Sequence, residues 1–342
     1  MKDQLPRSGP QPSFNLPDLL GKGIDAVRIG LADPLAWAKD GVPGVPASQK
    51  FVSDLCAYSG IRHREVMLHG TPQVLGRIGP LEVRLARTAR DVRRAQKLRY
   101  KVFYEEMSAI PDTTARLARR DMDAFDAICD HLLVLDYDAT MPAFGRSRPK
   151  VVGTYRLLRQ EVAQSHGGFY TQSEFDVDRI VKAHPDLKFL ELGRSCVLKP
   201  YRNKRTVELL WHGIWTYVLR NGIDVMFGCA SLEGTDPDAL GLPLSFLHHH
   251  ALAPEEWRAR AVSGRHVSMD RMPKATIDVR AAMQALPPLV KGYLRLGGCV
   301  GEGAVVDRQF GTTDVLVTLP RSVISPRYIE HFGPDAGRHA GE

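Results

Sequence analysis

The sequence lacks any run of the roughly 20 apolar residues that a helix needs to cross a bilayer. Its start, MKDQLPRSGPQPSFNLPDLL, has no apolar signal core. If the protein meets a membrane, it does so peripherally. Cysteine is sparse: Cys56, Cys129, Cys196, Cys229 and Cys299 are scattered, with no C-x-x-C. An odd, dispersed set in a chain of 342 residues excludes a disulfide scaffold and fits reduced thiols in the cytoplasm. There is no G-x-S-x-G, no phosphate-binding glycine loop and no zinc-ligand spacing. No internal repeat is found, which excludes a solenoid.

What is present is an ordinary globular balance, 44% hydrophobic and 25% charged residues, in a length that suits one large domain or two smaller ones. The net charge of +7 is unevenly placed, with eleven Lys and Arg against four Asp and Glu from Arg84 to Arg120. Such a stretch serves solubility, or it meets an acidic partner: carrier protein, anionic membrane or nucleic acid.

Residues 1–16 are rich in Pro, Ser and Gly, the composition of a disordered start. Short helical patterns at Leu19–Leu31 and Phe51–Leu55 follow, broken by Pro43, Pro46 and Pro72. Leu81–Leu85 alternates as a strand does. Thr88 or Asp91 is placed to cap the next helix, which carries Val92, Ala95, Leu98, Val102 and Phe103 on one stripe. A polar loop, Ser108–Asp123, leads to strands at 131–136 and 151–158. Residues 189–198, 224–229 and 314–319 read as further strands, and 254–260 as a helix with Pro254 in its first turn. The expected division is an N-terminal extension (1–80), a core (81–250) and a C-terminal elaboration (251–342) packed on it.

The most informative stretch is 189–220, FLELGRSCVLKPYRNKRTVELLWHGIWTYVLR. A β-rich run carrying Glu191 and Arg194 passes into a turn with Arg202, Lys204 and Arg205, then into a helix. Free N–H groups and the helix dipole at such a junction suit a phosphate. The segment resembles motif A of the GNAT acyltransferases, V-x-x-x-Y-R-x-x-G-x-G. It keeps Val197, Tyr201 and Arg202, but Arg205 and Val207 replace the two glycines. The glycines let backbone amides approach a coenzyme A pyrophosphate. Without them, the side chains of Arg202, Lys204 and Arg205 suit the single phosphate of a phosphopantetheine arm.

Arg99-x-x-x-Phe103, Asp123-Ala-Phe-Asp126, Gly153-Thr-Tyr-Arg156-Leu and Glu191-Leu-Gly-Arg194 follow in order. They resemble the pattern of the acyl-homoserine-lactone synthases, which take acyl chains from acyl carrier protein. Ala109 stands where those synthases carry a Trp. A closer resemblance is to the bacterial L-ornithine Nα-acyltransferases. It covers roughly residues 81–320, including CVLKPYRNKRTVELLW and LPPLVKGYLRLGG…VGEGAVVDRQFGTTDV. This resemblance implies an α/β (α+β) GNAT-like fold with a mixed, mostly antiparallel sheet flanked by helices. It implies transfer of a 3-hydroxyacyl group from acyl carrier protein to the α-amine of ornithine, with no metal, no tightly bound cofactor and no nucleic acid. A lactone synthase using S-adenosylmethionine is the alternative enzyme. A non-catalytic membrane- or nucleic-acid-binding protein is the alternative of another class.

An α-amine must lose a proton as it attacks a thioester. Glu191, with Arg194 beside it, is the first candidate to take that proton or to orient a water. The alternative is a Glu191–Arg194 ion pair, which needs a bulge, because strand residues three apart face opposite sides. Asp123 and Asp126 are candidates to hold the acceptor's ammonium groups, and Arg99 and Arg156 its carboxylate. Otherwise Asp123 or Asp126 caps a helix or pairs with Arg99, Arg119 or Arg156, and the arginines hold the acidic loop; an Arg–Asp network that shapes the acceptor pocket fits both readings. Phe103 lines an acyl channel or is plain core. Arg87, Arg90, Arg93, Arg94, Lys97 and Lys101 face carrier protein or solvent. His131-x4-Asp136 has the spacing of a glycerolipid acyltransferase motif, but its LLVL interior reads as a buried strand. His248–His250 reads as surface, and Cys196 and Cys229 as core.

Overall fold

The computed structural model describes residues 74–107, 109–143 and 146–332. The disordered start, the two early helical patterns and Cys56 lie outside the described residues. Ten strands form one open sheet. In chain order they are β1 (Val74–Ile78), β2 (Leu81–Leu85), β3 (Asp130–Ala143), β4 (Arg146–Arg159), β5 (Phe189–Val197), β6 (Val225–Glu233), β7 (His266–Val267), β8 (Cys299–Val300), β9 (Ala304–Asp307) and β10 (Thr312–Pro320). Across the sheet the order is β1-β2-β3-β4-β5-β6-β10-β9-β7, with β8 also on β10. The C-terminal strands thus continue the sheet that the earlier ones begin. Among the described strands only β5 and β6 pair in parallel, and a helix, not a hairpin, connects them, as a parallel pair requires.

The LLVL run in β3, Leu132–Leu135, is fully buried, so both faces of the sheet are covered and the strand reads as continuous apolar sequence. Helix α1 (Ala89–Tyr100) lies over β4 and β5. Thr88 caps it, its hydroxyl accepting from Asp91 N at 3.2 Å. The chain continues into a π-helical stretch, Lys101–Glu106, a form often found at functional sites. The polar loop contains a short helix α2 (Thr113–Ala118), capped by Asp112 and ended by Arg119 in the left-handed region at φ 47°. Helix α3 (Lys204–Arg220), capped by Asn203, packs on β1 and β2. The helix expected at 254–260 is instead a single 3-10 turn, Glu255–Trp257. Arg260 and Ala261 are drawn into bridges with Glu302 and Phe175, which keeps that chain extended.

Two irregularities meet in β5. Its pairing with β6 covers Phe189, Leu190 and Glu191 and then stops, although both strands run on. Gly228 permits their close approach at that point, since an added Cβ would collide with the Leu192 carbonyl oxygen. On the β4 side, Gly193 faces Arg156 and Cys196 faces Thr154, so Arg194 and Ser195 together oppose Tyr155. This is a β-bulge, with Arg194 in the left-handed region at φ 51°. A non-glycine residue there is held by its surroundings, and such residues cluster at functional sites.

Candidate active site

The bulge turns the Arg194 guanidinium into a closed ring of six buried charges. Arg99 from α1 contacts Asp126 at 2.7 Å and Asp121 at 2.8 Å. Arg194 contacts Asp121 at 3.5 Å and Asp123 at 3.0 Å. Arg156 from β4 contacts Asp123 at 2.6 Å and closes the ring on Asp126 at 3.3 Å. No member's side chain is more than 3% exposed. Three guanidinium groups alternate with three carboxylates, so the buried charge balances. Burial favours the protonated carboxyl, but the Arg99 charge overrides it and holds Asp126 well below the usual range. Arg156 likewise overrides burial at Asp123. His131 Nε2 donates to the Asp126 carbonyl at 3.0 Å, and burial pushes its imidazole down to about 4, so it is neutral. Tyr170 lies between Arg156 and Arg194, whose guanidinium carbons stand 5.3 and 5.4 Å from its ring.

Glu191 sits just before the bulge and is 3% exposed. Its carboxylate accepts from Tyr170 N at 3.0 Å, Thr171 N at 2.7 Å and the Thr171 hydroxyl. Burial raises its pKa, against these hydrogen bonds. Glu191, Arg156, Tyr170, Cys129, Leu158 and Gly193 line a cavity of about 10 Å³, the size of one water. A water held there would have a carboxylate and a guanidinium as neighbours.

The GNAT acetyltransferase domain model matches residues 98–212, which span the end of α1, the charge ring, β5 and the start of α3. The chain is 51% identical over 282 residues to an L-ornithine N(alpha)-acyltransferase of Brucella abortus (strain 2308), covering 82% of this chain and 99% of that one. It is 52% identical to the enzyme of the same name from Rhizobium meliloti (strain 1021), covering 80% and 92%. The chain belongs to this family of N-acyltransferases. A solved N-acyl amino acid synthase, FeeM, from uncultured soil microbes is 12% identical with a TM-score of 0.39, covering 70% of this chain and 90% of that one. The likeness is too slight to argue from.

The acyltransferase brings Arg99, Asp123, Asp126, Arg156 and Arg194 into one network. Of the alternatives open at sequence level, the Arg–Asp network is the one built, so Asp123 and Asp126 already have guanidinium partners. Glu191 and Arg194 are near each other but form no ion pair: Glu191 is held by Tyr170 and Thr171, Arg194 by the aspartates. Phe103 is 2% exposed and packs edge-on against Phe310 at 5.7 Å, as core. In the basic turn, Arg202 donates to the Val197 carbonyl at 2.9 Å and to Glu106 at 2.6 Å. Lys204 is exposed beside Glu208, and Arg205 is exposed. This turn lies about 20 Å along β5 from Glu191, at about 3.3 Å per strand residue.

His131 and Asp136 take separate partners, Asp136 accepting from the Tyr201 hydroxyl at 2.7 Å. His249 pairs with Asp270 at the surface at 3.0 Å. Cys196 and Cys229 are buried, with thiols raised by burial. Asp121 was not among the expected residues. Its only sequence signal is its place in Arg120-Asp121-Met122-Asp123, two positions from a motif aspartate.

Proposed function

We propose that the protein transfers a 3-hydroxyacyl group from the phosphopantetheine arm of acyl carrier protein to the α-amine of L-ornithine, forming lyso-ornithine lipid. The observation that carries the acyl transfer to ornithine is 51% identity, over 99% of its length, to a relative named L-ornithine N(alpha)-acyltransferase; the 3-hydroxyacyl donor on carrier protein is the further part of the proposal. The geometry supports it. The β5–β6 ladder ends at Glu191 although both strands run on, which frees backbone groups beyond it for a thioester arm. The acceptor amine attacks the thioester carbonyl, a C–N bond forms, and the C–S bond breaks. The amine proton passes to Glu191 or to a water it orients, and the departing thiolate takes up a proton. The raised pKa of Glu191 is in the direction a base needs. The charge ring holds the bulge that shapes this end of β5, and so positions the site.

Exposed Lys204 and Arg205 at the start of α3 are the groups left for the donor phosphate, with Arg202 fixing the turn. Arg87 just before α1, and Arg90, Arg93, Lys97 and Lys101 along it and its continuation, are exposed, a surface that suits acidic carrier protein. No helix among the described residues is long and apolar enough to cross a membrane. Ile110 and Leu117, 66% and 81% exposed, stand near Arg116, Arg119 and Arg120, a mixture that suits peripheral contact with an anionic bilayer on the cytoplasmic side.

Expression in a bacterial host lacking aminolipids tests the reading. Lipid extracts should contain a new ninhydrin-positive species with the mass of ornithine joined to a 3-hydroxyacyl chain through an amide. Acyl-homoserine lactones in its place would transfer the assignment to lactone synthesis. Vesicle binding with no new product would leave a non-catalytic protein.

A further inference from the structure

A second group of buried acids lies near Arg194. Glu174, Asp307 and Asp314 come from the turn before residue 175, from β9 and from β10. One oxygen of each falls within 4.8 Å of the others, and none of the three residues is more than 1% exposed. Among the described residues, the ion pair these acids make is with Arg265, whose Nη2 lies 3.1 Å from Glu174 Oε1. Asp307 Oδ1 accepts from Gln309 N and Phe310 N at 2.9 and 3.0 Å, while its Oδ2 has no hydrogen-bond partner. Neither oxygen of Asp314 meets a donor in bonding geometry, although the Ser231 and Thr312 hydroxyls lie beside it. Three carboxylates against one guanidinium leave negative charge unmatched. The neighbouring charge ring cannot supply the difference, because its own charges already balance. Burial raises all three carboxyls, Asp314 to about 7. A buried acid without a matching cation keeps its proton instead, so the cluster holds protons that a bound cation would replace.

The Tyr170 hydroxyl and Arg194 Nη1 are also buried without a hydrogen-bond partner. The Tyr170 hydroxyl belongs to a residue 5% exposed, and the Glu174 charge acts on it. Arg194 Nη1 belongs to a residue 2% exposed, and the Arg194 charge acts on Asp307. Arg194 also stands 5.1 Å from the ring of Phe310, whose N–H holds Asp307. A relay ties the cluster to the candidate base. Cys229 Sγ lies 3.3 Å from Glu174 Oε2 and 3.8 Å from Thr171 Oγ1, which donates to Glu191.

A ligand that satisfies this set carries a cation for the carboxylates and an anion for Arg194 Nη1. We propose that Glu174, Asp307 and Asp314 receive the side-chain ammonium of a diamino-acid acceptor, while Arg194 Nη1 and the Tyr170 hydroxyl take its α-carboxylate. The proposal deepens the acyl-transfer reading and rests on it. It assigns acceptor selection to acids outside the ring, in which Asp121, Asp123 and Asp126 are already paired with arginines.

The test compares ornithine with norvaline, which has the same carbon chain but no side-chain amine, using 3-hydroxyacyl carrier protein as donor and thiol release as readout. Wild type should prefer ornithine in kcat/KM by on the order of 100-fold, because norvaline leaves buried carboxylates unpaired. Asp314→Asn should cut that preference by on the order of 100-fold, chiefly through the KM for ornithine, and Glu174→Gln serves if that variant does not fold. Equal use of the two acceptors by wild type, or a variant that lowers both alike, overturns the proposal while leaving acyl transfer intact. Loss of activity on chelation with EDTA and its return with Mg²⁺ or Ca²⁺, in wild type but not in the variant, also overturns it by making the cluster a metal site. If neither acceptor is acylated, the acyl-transfer reading fails. Calorimetry of wild type with each amino acid alone then decides the cluster: tighter binding of ornithine supports it, and equal or absent binding refutes it.

Discussion

Replacing Asp314 with asparagine should change how stability depends on pH. Asp314 is fully buried on β10, and burial, followed by the charge of Asp307, pushes its carboxyl up to about 7. In the unfolded chain an aspartate titrates near 4. A group whose folded pKa is the higher one holds its proton longer in the folded state. Its stabilisation is complete below the unfolded pKa and is lost as pH rises through the folded one. The window here runs from about 4 to about 7. At about 1.4 kcal/mol per pKa unit, Asp314 removes about 4 kcal/mol of stability across it. Asparagine has nearly the same shape and cannot ionise. Urea unfolding of both proteins between pH 4 and pH 8 measures the effect, and subtracting one curve from the other cancels groups that titrate alike in both. The variant should gain about 4 kcal/mol relative to wild type toward the alkaline end. A difference that stays flat across this range would refute the picture of an uncompensated buried acid.

Arg99→Met leaves Asp121 and Asp126 short of a buried cation and should cost about 3–5 kcal/mol at pH 7. Because Asp126 is held ionised by Arg99, the loss should shrink as pH falls below about 4 and the carboxyl protonates; denaturant titrations at the two pH values check this. Glu191→Gln should lower acyl transfer by about 100-fold or more, while circular dichroism shows the fold retained. Full activity in that folded variant would remove Glu191 from the proton transfer.

The strands were legible because alternation and apolar runs follow directly from burial, and Leu81–Leu85 matches its expected span. The five residues that meet around Asp123 and Asp126 were visible as motif pieces. An Arg–Asp network among them was open as one reading, but not that Arg194 joins it, because that depends on a bulge which the sequence raised only for a Glu191–Arg194 pair. Asp121 was missed for a related reason: an aspartate in a polar loop looks solvated until the loop folds over two strands. Glu174, Asp307 and Asp314 were harder still. Asp307 and Asp314 lie in the VGEGAVVDRQFGTTDV segment, but Glu174 is far from them in the chain, and only the pairing of β9 with β10 and the fold of the turn before residue 175 assemble the three.

The six-membered charge ring also constrains how this sequence can drift. Every aspartate in it serves two arginines, and every arginine serves two aspartates, so no single replacement leaves the others content. A tolerated exchange would have to remove one acid and one base together, or convert the whole set to hydrocarbon in concert. Neighbouring loops are free of that restriction and can wander residue by residue. The helix, the two strands and the turn that supply the ring are therefore bound to a shared history, whatever acceptor the enzyme comes to use.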